Sequence, residues 1–346
     1  MSQIACGIDS APILFDAETA FYPGNESNGV KPDVLLDSHE LGRELAAMTE
    51  RAADVGNNTS PGARLRTLML DGTVVAPFVW DGAQARLAMA AGHTALYLTG
   101  FGTAASHGVP DIGLIGLAEM EANARRIVAA VDLPVIADAD TGYGGPASVT
   151  HTVRRLEATG VAAIHIEDQV WPKRCGFLAG KQVIPLPEML EKLRAALAAR
   201  SDPDFLIIGR TDALAPLGWD EAMQRARAFC ALGVDLVFVD GLGTREEIER
   251  AASALADIPR VLNSSLLSGA EAEALGYGVV LQLGVLRALF GAMRDTYAEL
   301  ADRGQIDLET RNAPDIETIS HVMGLAEYEA VDNVAVQNAA GDAADA

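Results

Sequence analysis

The sequence predicts an α/β chain folded as a parallel (β/α)8 TIM barrel, and three observations carry that reading. Eight short apolar, β-branched runs alternate with longer stretches of helical periodicity. Several of those stretches end in glycine just before the next run, where a helix C-cap favours a residue free to take positive φ. Ionisable residues recur at the C-terminal ends of successive runs, the end at which such a barrel builds its active site. A doubly wound open sheet is the alternative, weakened because no G-x-G-x-x-G turn follows the first run.

The runs, in order, are "TVVAPFV" (73–79), "TALYLT" (94–99), "LPVIAD" (133–138), "VAAIHIE" (161–167), "DFLIIGR" (204–210), "VDLVFVD" (234–240), "RVLN" (260–263) and "GVVLQL" (278–283). Stretches such as "PASVTHTVRRLEATG", "PEMLEKLRAALAAR" and "WDEAMQRARAFCALG" supply helices between them. Residues 66–305 are therefore assigned to the barrel. Residues 1–65 form an N-terminal extension, with turn-rich "YPGNESNGVKPD" and "GNNTSPG" flanking one helix, "SHELGRELAAMTERAA". Residues 306–346 form a C-terminal helical segment whose polar tail, "AVQNAAGDAADA", is expected to be disordered.

The 346 residues are 49% apolar, enough for a large core, yet carry a net charge of −22 and a pI near 4.5. Such a surface repels nucleic acid and anionic membranes, so both are excluded as partners. The same acidity suits solubility at high salt. Cys6, Cys175 and Cys230 are odd in number and widely spaced, which fits a reducing compartment better than a disulfide framework or a zinc knuckle. The N-terminus lacks a basic region followed by a long apolar run, and no stretch reaches the ~18 apolar residues of a membrane span. A cytoplasmic location is expected.

Candidate chemistry collects at the strand ends. Asp138 and Asp140 lie two apart in "DADTGYGG", so strand alternation places both on one face. Two such carboxylates need a cation between them or a proton on one, and few hard oxygens suit Mg²⁺ with retained waters; a helix cap plus a solvated acid is the plainer account. Glu167 and Asp168 in "HIEDQ", and Asp111 in "HGVPDIG", extend the cluster. Arg210 either clamps an anionic substrate or pairs with Asp212, and Tyr97 is either a site residue or core. His165, inside an apolar run, reads as a core histidine. In "PKRCGFLAGK", Lys173, Arg174 and Lys181 surround Cys175, and nearby cations lower a thiol pKa, while Gly176 and Gly180 suit a moving lid.

Together, "DADTGYGG", "GVAAIHIEDQVWPKRCG" and "IIGRTDA" resemble the isocitrate lyase/phosphoenolpyruvate mutase superfamily, over about residues 73–300. The resemblance implies a (β/α)8 barrel, a homotetramer built from helix-swapped dimers, and Mg²⁺ (or Mn²⁺) as cofactor. It implies small 2-oxo or 2-hydroxy carboxylates as substrates and carbon–carbon cleavage through an enolate-like species. It assigns Asp138 to the metal directly, and Asp111, Asp140 and Glu167 to its waters. Thr99, Gly100 and Phe101, in "YLTGFG", match the turn that holds the oxo-acid, with threonine in place of the usual serine. Tyr97 falls near the substrate hydroxyl, where it or a carboxylate acts as base. Arg210 binds a substrate carboxylate, Asp240 replaces a usual glutamate, and Asn263 and Ser265 belong to a shortened carboxylate-binding cluster. Lys173, Cys175, Gly176 and Phe177 match the lyase lid, whose cysteine protonates the carbanion; Phe177 stands in place of its histidine. A phosphonomutase, or an oxaloacetate decarboxylase or hydrolase, is the alternative within the superfamily.

Overall fold

The computed structural model describes residues 59–331. The helix expected in "SHELGRELAAMTERAA" and the tail "AVQNAAGDAADA" lie outside the described residues. Eight parallel strands close into a barrel in sequence order, with the last pairing to the first. They are β1 (Val74–Val79), β2 (Leu96–Leu98), β3 (Val135–Asp138), β4 (Ala163–Glu167), β5 (Leu206–Thr211), β6 (Leu236–Val239), β7 (Arg260–Asn263) and β8 (Val279–Gln282). Each falls within an apolar run named above or overruns it by one residue, and all but the last residues of β7 and β8 and one position of β1 are buried. Strands covered by helices outside and by core inside must be apolar on both faces, which is why they read as continuous runs.

The helices are α1 (Pro61–Asp71), α2 (Gly82–Ala90), α3 (Gly100–Ser106), α4 (Leu117–Ala130), α5 (Pro146–Glu157), α6 (Leu186–Ala199), α7 (Leu214–Leu217), α8 (Trp219–Leu232), α9 (Arg245–Ala254), α10 (Gly269–Ala274), α11 (Gly284–Arg303) and α12 (Ile316–Val322). Local sequence fixes many of their ends. Ser60 caps α1 ahead of Pro61, Asp81 caps α2, and Thr244 with Glu247 and Ser268 with Glu271 form capping boxes on α9 and α10. Gly233 ends α8 in the left-handed conformation, at φ 100°, as its place before β6 suggests.

Two cores result. The outer one packs strand side chains such as Leu98, Ile164 and Ile207 against helix residues such as Ile127, Leu156 and Phe229. The inner one fills the barrel with Ala76, Phe78, Tyr97, Ile136, Ala163, Ile208, Phe238 and Leu281. Fully burying one such aliphatic or aromatic side chain contributes about 1.5–3 kcal/mol. Register then aligns the strand ends: Asp138 lies beside His165, Glu167 beside Arg210, and Arg210 beside Phe238. Among the described residues, no helix is long and apolar enough to cross a membrane.

Candidate active site

The site is built on the C-terminal rim. Asp138 closes β3, and its Oδ1 accepts the Asp140 N–H at 2.9 Å. Its Oδ2 accepts the Gly100 N–H at 3.2 Å, and a β-carbon at position 100 would stand only 2.7 Å from that oxygen. Glycine is therefore required where "YLTGFG" meets the acid. Asp140 lies in a left-handed turn at φ 46°, beyond the strand. The two carboxylates are thus brought together by that turn rather than by strand alternation. Asp111 joins them through Lys173, whose Nζ lies 2.6 Å from Asp111 and 2.7 Å from Asp140. All four side chains are buried.

A second group centres on Arg210. Its guanidinium donates to both oxygens of Asp212, at 2.9 and 3.1 Å, and lies 3.1 Å from Glu167 Oε2 and 3.1 Å from Asp240 Oδ2. It stacks 4.9 Å above the Phe238 ring, so its plane is held from below as well as from its edges. Lys181 reaches the same acids, at 2.9 Å from Asp212 and 3.6 Å from Asp240. Asn263 Nδ2 donates to Asp240 Oδ1 at 3.2 Å. The ion-pair and substrate-clamp readings of Arg210 are therefore not exclusive. Asp168 turns away from this cluster: it accepts from Thr211 Oγ1, the Asp212 N–H and Arg225, bracing the end of β5. The metal cluster suggested by its neighbour Glu167 does not include it.

Six buried carboxylates (Asp111, Asp138, Asp140, Glu167, Asp212, Asp240) thus meet three buried cations, Lys173, Lys181 and Arg210. Burial pushes the Asp140 and Glu167 carboxyls above the usual range, against Lys173 and Arg210 respectively. Burial also opposes ionisation of Asp138, yet its cationic neighbours and the Asp140 N–H hold it below the ordinary value. Since burial lowers His165 to about 4, that ring is neutral at pH 7 and Lys173 and Arg210 are the operative cations. Glu167 Oε1 is buried with no hydrogen-bond partner. The excess of carboxylates and this free oxygen fit a divalent cation. Among the described residues no three metal-ligating side chains are grouped closely enough to cage an ion.

The segment from Trp171 to Lys181 lies over both groups. The Cys175 N–H donates to the Asp111 carbonyl at 2.9 Å, while Gln169 exchanges two hydrogen bonds with the Arg174 backbone. At Gly176 a β-carbon would overlap Asp240 Oδ2, so this position needs glycine for close approach to the rim. The expected lowering of the Cys175 pKa by flanking cations does not occur. Burial pushes the thiol up to about 11, with Asp111 and Asp240 adding to the effect. Lys173 and Lys181 are committed to carboxylates, and Arg174 points to the Ala179 carbonyl.

Other positions divide between site and scaffold. Thr99 is buried, and its hydroxyl caps α3 by accepting from Gly102 N. Tyr97 Oη lies 2.8 Å from His165 Nε2 and 3.5 Å from Asp138 Oδ2, and burial raises its pKa well above 10.0. Burial thus favours the protonated phenol, and the base remains, as in the sequence, Tyr97 or a carboxylate. Phe101 is half-buried, Ser265 is exposed at the β7 end, and Phe177 is 57% exposed on the lid. Sequence reasoning underrates Asp212 and Lys181; the "GRTDA" and "AGK" context is the signal that carries them.

Residues 65–301 match the family model described as phosphoenolpyruvate phosphomutase. A 2,3-dimethylmalate lyase of Eubacterium barkeri is 43% identical, over 60% of this chain and 74% of that one. A 2-methylisocitrate lyase of Vibrio cholerae serotype O1 is 36% identical, over 71% and 84% respectively. Two of the similar solved structures are representative. One is oxaloacetate acetylhydrolase with 3,3-difluorooxalacetate, at 39% identity and TM-score 0.75, covering 80% of this chain and 97% of that one. The other is phosphonopyruvate hydrolase with oxalate and Mg²⁺, at 31% identity and TM-score 0.72, covering 80% and 99%. The chain belongs to the phosphoenolpyruvate mutase/isocitrate lyase superfamily, and it is an enzyme of the carbon–carbon lyase kind.

Proposed function

We propose that the enzyme cleaves a 2-hydroxy dicarboxylate of the substituted-malate class into an oxo-acid, pyruvate or glyoxylate, and a carboxylate. The observation that carries this reading is Cys175, a buried thiol held protonated in the lid segment that Lys173 and Lys181 fasten to the carboxylate rim. A thiol of that kind is a proton donor, not a nucleophile. The 43% identity to 2,3-dimethylmalate lyase and the phenyl ring at 177 favour an alkyl side group over a further carboxylate.

In the proposed reaction Glu167, whose Oε1 is free, takes the proton of the 2-hydroxyl. The C2–C3 bond then breaks, its electron pair going to C3 as the C2–O bond becomes a carbonyl. Arg210 stabilises the carboxylate-conjugated carbanion, and Cys175 delivers a proton to C3. Tyr97 donates a hydrogen bond to the oxygen at C2. Bound Mg²⁺, held by Asp138 and through water by Asp111, Asp140 and Glu167, would supply Lewis acidity toward the hydroxy-acid oxygens. The Gly100–Phe101 turn and Asn263 with Ser265 frame the two ends of the substrate.

A second reading, hydrolysis of oxaloacetate, is favoured by the likeness to oxaloacetate acetylhydrolase. Assaying substituted malates, 2-methylisocitrate and oxaloacetate with Mg²⁺ separates the two. Release of pyruvate or glyoxylate supports the lyase; oxalate with acetate from oxaloacetate alone would replace it.

A homotetramer is part of the proposal. Helix α11 buries only Leu286 and exposes Phe290, Met293, Tyr297 and Leu300 along one stripe, which a second copy of the chain would cover.

A further inference from the structure

The top layer of the barrel interior, directly beneath the carboxylates, contains Tyr97 from β2, His165 from β4 and Phe238 from β6. These are alternate strands, the usual composition of one barrel layer. Tyr97 and His165 stack with ring centroids 5.7 Å apart, and the Phe238 ring meets His165 edge-on at 5.5 Å. His165 is the polar member with no solvent access and no role in the reaction described above.

Its hydrogen bonding is one-sided. Nε2 lies 2.8 Å from Tyr97 Oη and 3.6 Å from Asp138 Oδ1. Nδ1 is buried with no partner. Nδ1 goes unpaired in either tautomer, as a buried donor or as a buried acceptor, so the choice falls to Nε2 and what it faces. A proton on Nδ1 would make Nε2 an acceptor that consumes the Tyr97 proton, turning the phenol's lone pairs toward the Asp138 carboxylate. A proton on Nε2 removes that conflict, since the N–H donates to Tyr97 Oη with Asp138 Oδ1 on the same side.

The geometry points to His165 as a positioning residue: its Nε2–H tautomer donates to Tyr97 Oη and so turns the Tyr97 proton toward Asp138 and the substrate oxygen. His165 thereby makes Tyr97 an obligate donor at the site rather than an acceptor. This inference rests on the reading of Tyr97 given above and adds the residue that sets its polarity.

The first test does not involve turnover. In protein labelled with ¹⁵N-histidine, the His165 resonances are assigned by their loss in His165→Gln. The expected result is a protonated, pyrrole-type Nε2 and an unprotonated, pyridine-type Nδ1. A protonated Nδ1, or an average of the two tautomers, would overturn the inference.

The second test is kinetic. His165→Phe keeps the ring and loses the donor, and should lower kcat about tenfold or more with KM little changed, since ~1.4 kcal/mol corresponds to a factor of ten. His165→Gln, which places an N–H near the same point, should restore most of the loss. Tyr97→Phe/His165→Phe should be no slower than Tyr97→Phe. Additive losses, or no rescue by glutamine, would leave His165 a packing residue. Full activity in Tyr97→Phe would instead remove the donor role of Tyr97, whatever the tautomer found by NMR.

Discussion

Lys181 Nζ donates to Asp212 Oδ1 at 2.9 Å, tying the end of the lid to the same carboxylate that grips Arg210 through both its oxygens. The 172–181 segment and the Arg210 guanidinium therefore share an anchor, which under the proposed function couples lid and substrate clamp. Lys173 does the same at the lid's near end, on Asp111 and Asp140.

Lys181→Met should loosen the lid without touching the metal-facing acids. The variant leaves Arg210 as the one cation among the described residues paired with Asp212 and Asp240, and removal of one partner from a buried pair costs about 3–5 kcal/mol. Expected outcomes are faster proteolysis within the 172–181 segment and a fall in kcat/KM of about tenfold or more. Unchanged proteolysis and kinetics would show that the latch is not at Lys181.

Cys175 should alkylate slowly at neutral pH. With its pKa raised to about 11, the thiol is fully present below that value and is lost only as pH rises through it. At pH 8 the thiolate fraction is on the order of 0.1%. Peptide mapping after iodoacetamide treatment should find Cys175 modified more slowly than the partly exposed Cys230, with a rate rising steeply above pH 9. Rapid modification of Cys175 at pH 7 would mark it as a thiolate.

Removal of divalent cations should abolish turnover, and Mg²⁺ should also raise the melting temperature of the substrate-free enzyme. Six carboxylates against three cations leave an excess of negative charge that a divalent ion relieves. Binding at 100 times Kd adds about 2.7 kcal/mol of stability. Asp138→Asn should reduce that shift. Identical melting with chelator and with Mg²⁺ would contradict the assignment of the acids.

Phe177→His should shift preference toward a substrate bearing an additional carboxylate. An imidazole at this position offers a donor that a phenyl ring lacks, and a hydrogen bond to a charged group contributes about 1.5–3 kcal/mol. The ratio of kcat/KM for 2-methylisocitrate over 2,3-dimethylmalate should rise about tenfold or more. An unchanged ratio would place the selection elsewhere, with Asn263 and Ser265 as the next positions to vary.

The barrel was legible because its strands are buried on both faces, so "VAAIHIE" or "VDLVFVD" can hardly be anything else between capped helices. Asp138, Glu167 and Asp240 were legible because each ends such a run. What joins them was not. The ion pairs of Lys173 with Asp111 and of Lys181 with Asp212 link residues far apart in the chain, and only barrel closure sets them within reach. Alternation misplaces Asp140, which a left-handed turn rather than the strand delivers. The Cys175 environment inverts for the same reason: adjacency of cations in sequence suggests a thiolate, but the folded chain assigns Lys173 and Lys181 to acids, turns Arg174 to the Ala179 carbonyl and buries the sulfur. His165 reads as core and is core, yet its one hydrogen bond reaches the site.

The most direct test of the central claim is the product assay on wild type and Cys175→Ser side by side, with Mg²⁺ and substituted malates. The account predicts release of pyruvate or glyoxylate by wild type, and a loss of about a hundredfold or more in the variant with substrate affinity retained. Comparable turnover by both proteins, or no carbon–carbon cleavage of any malate by either, would contradict it.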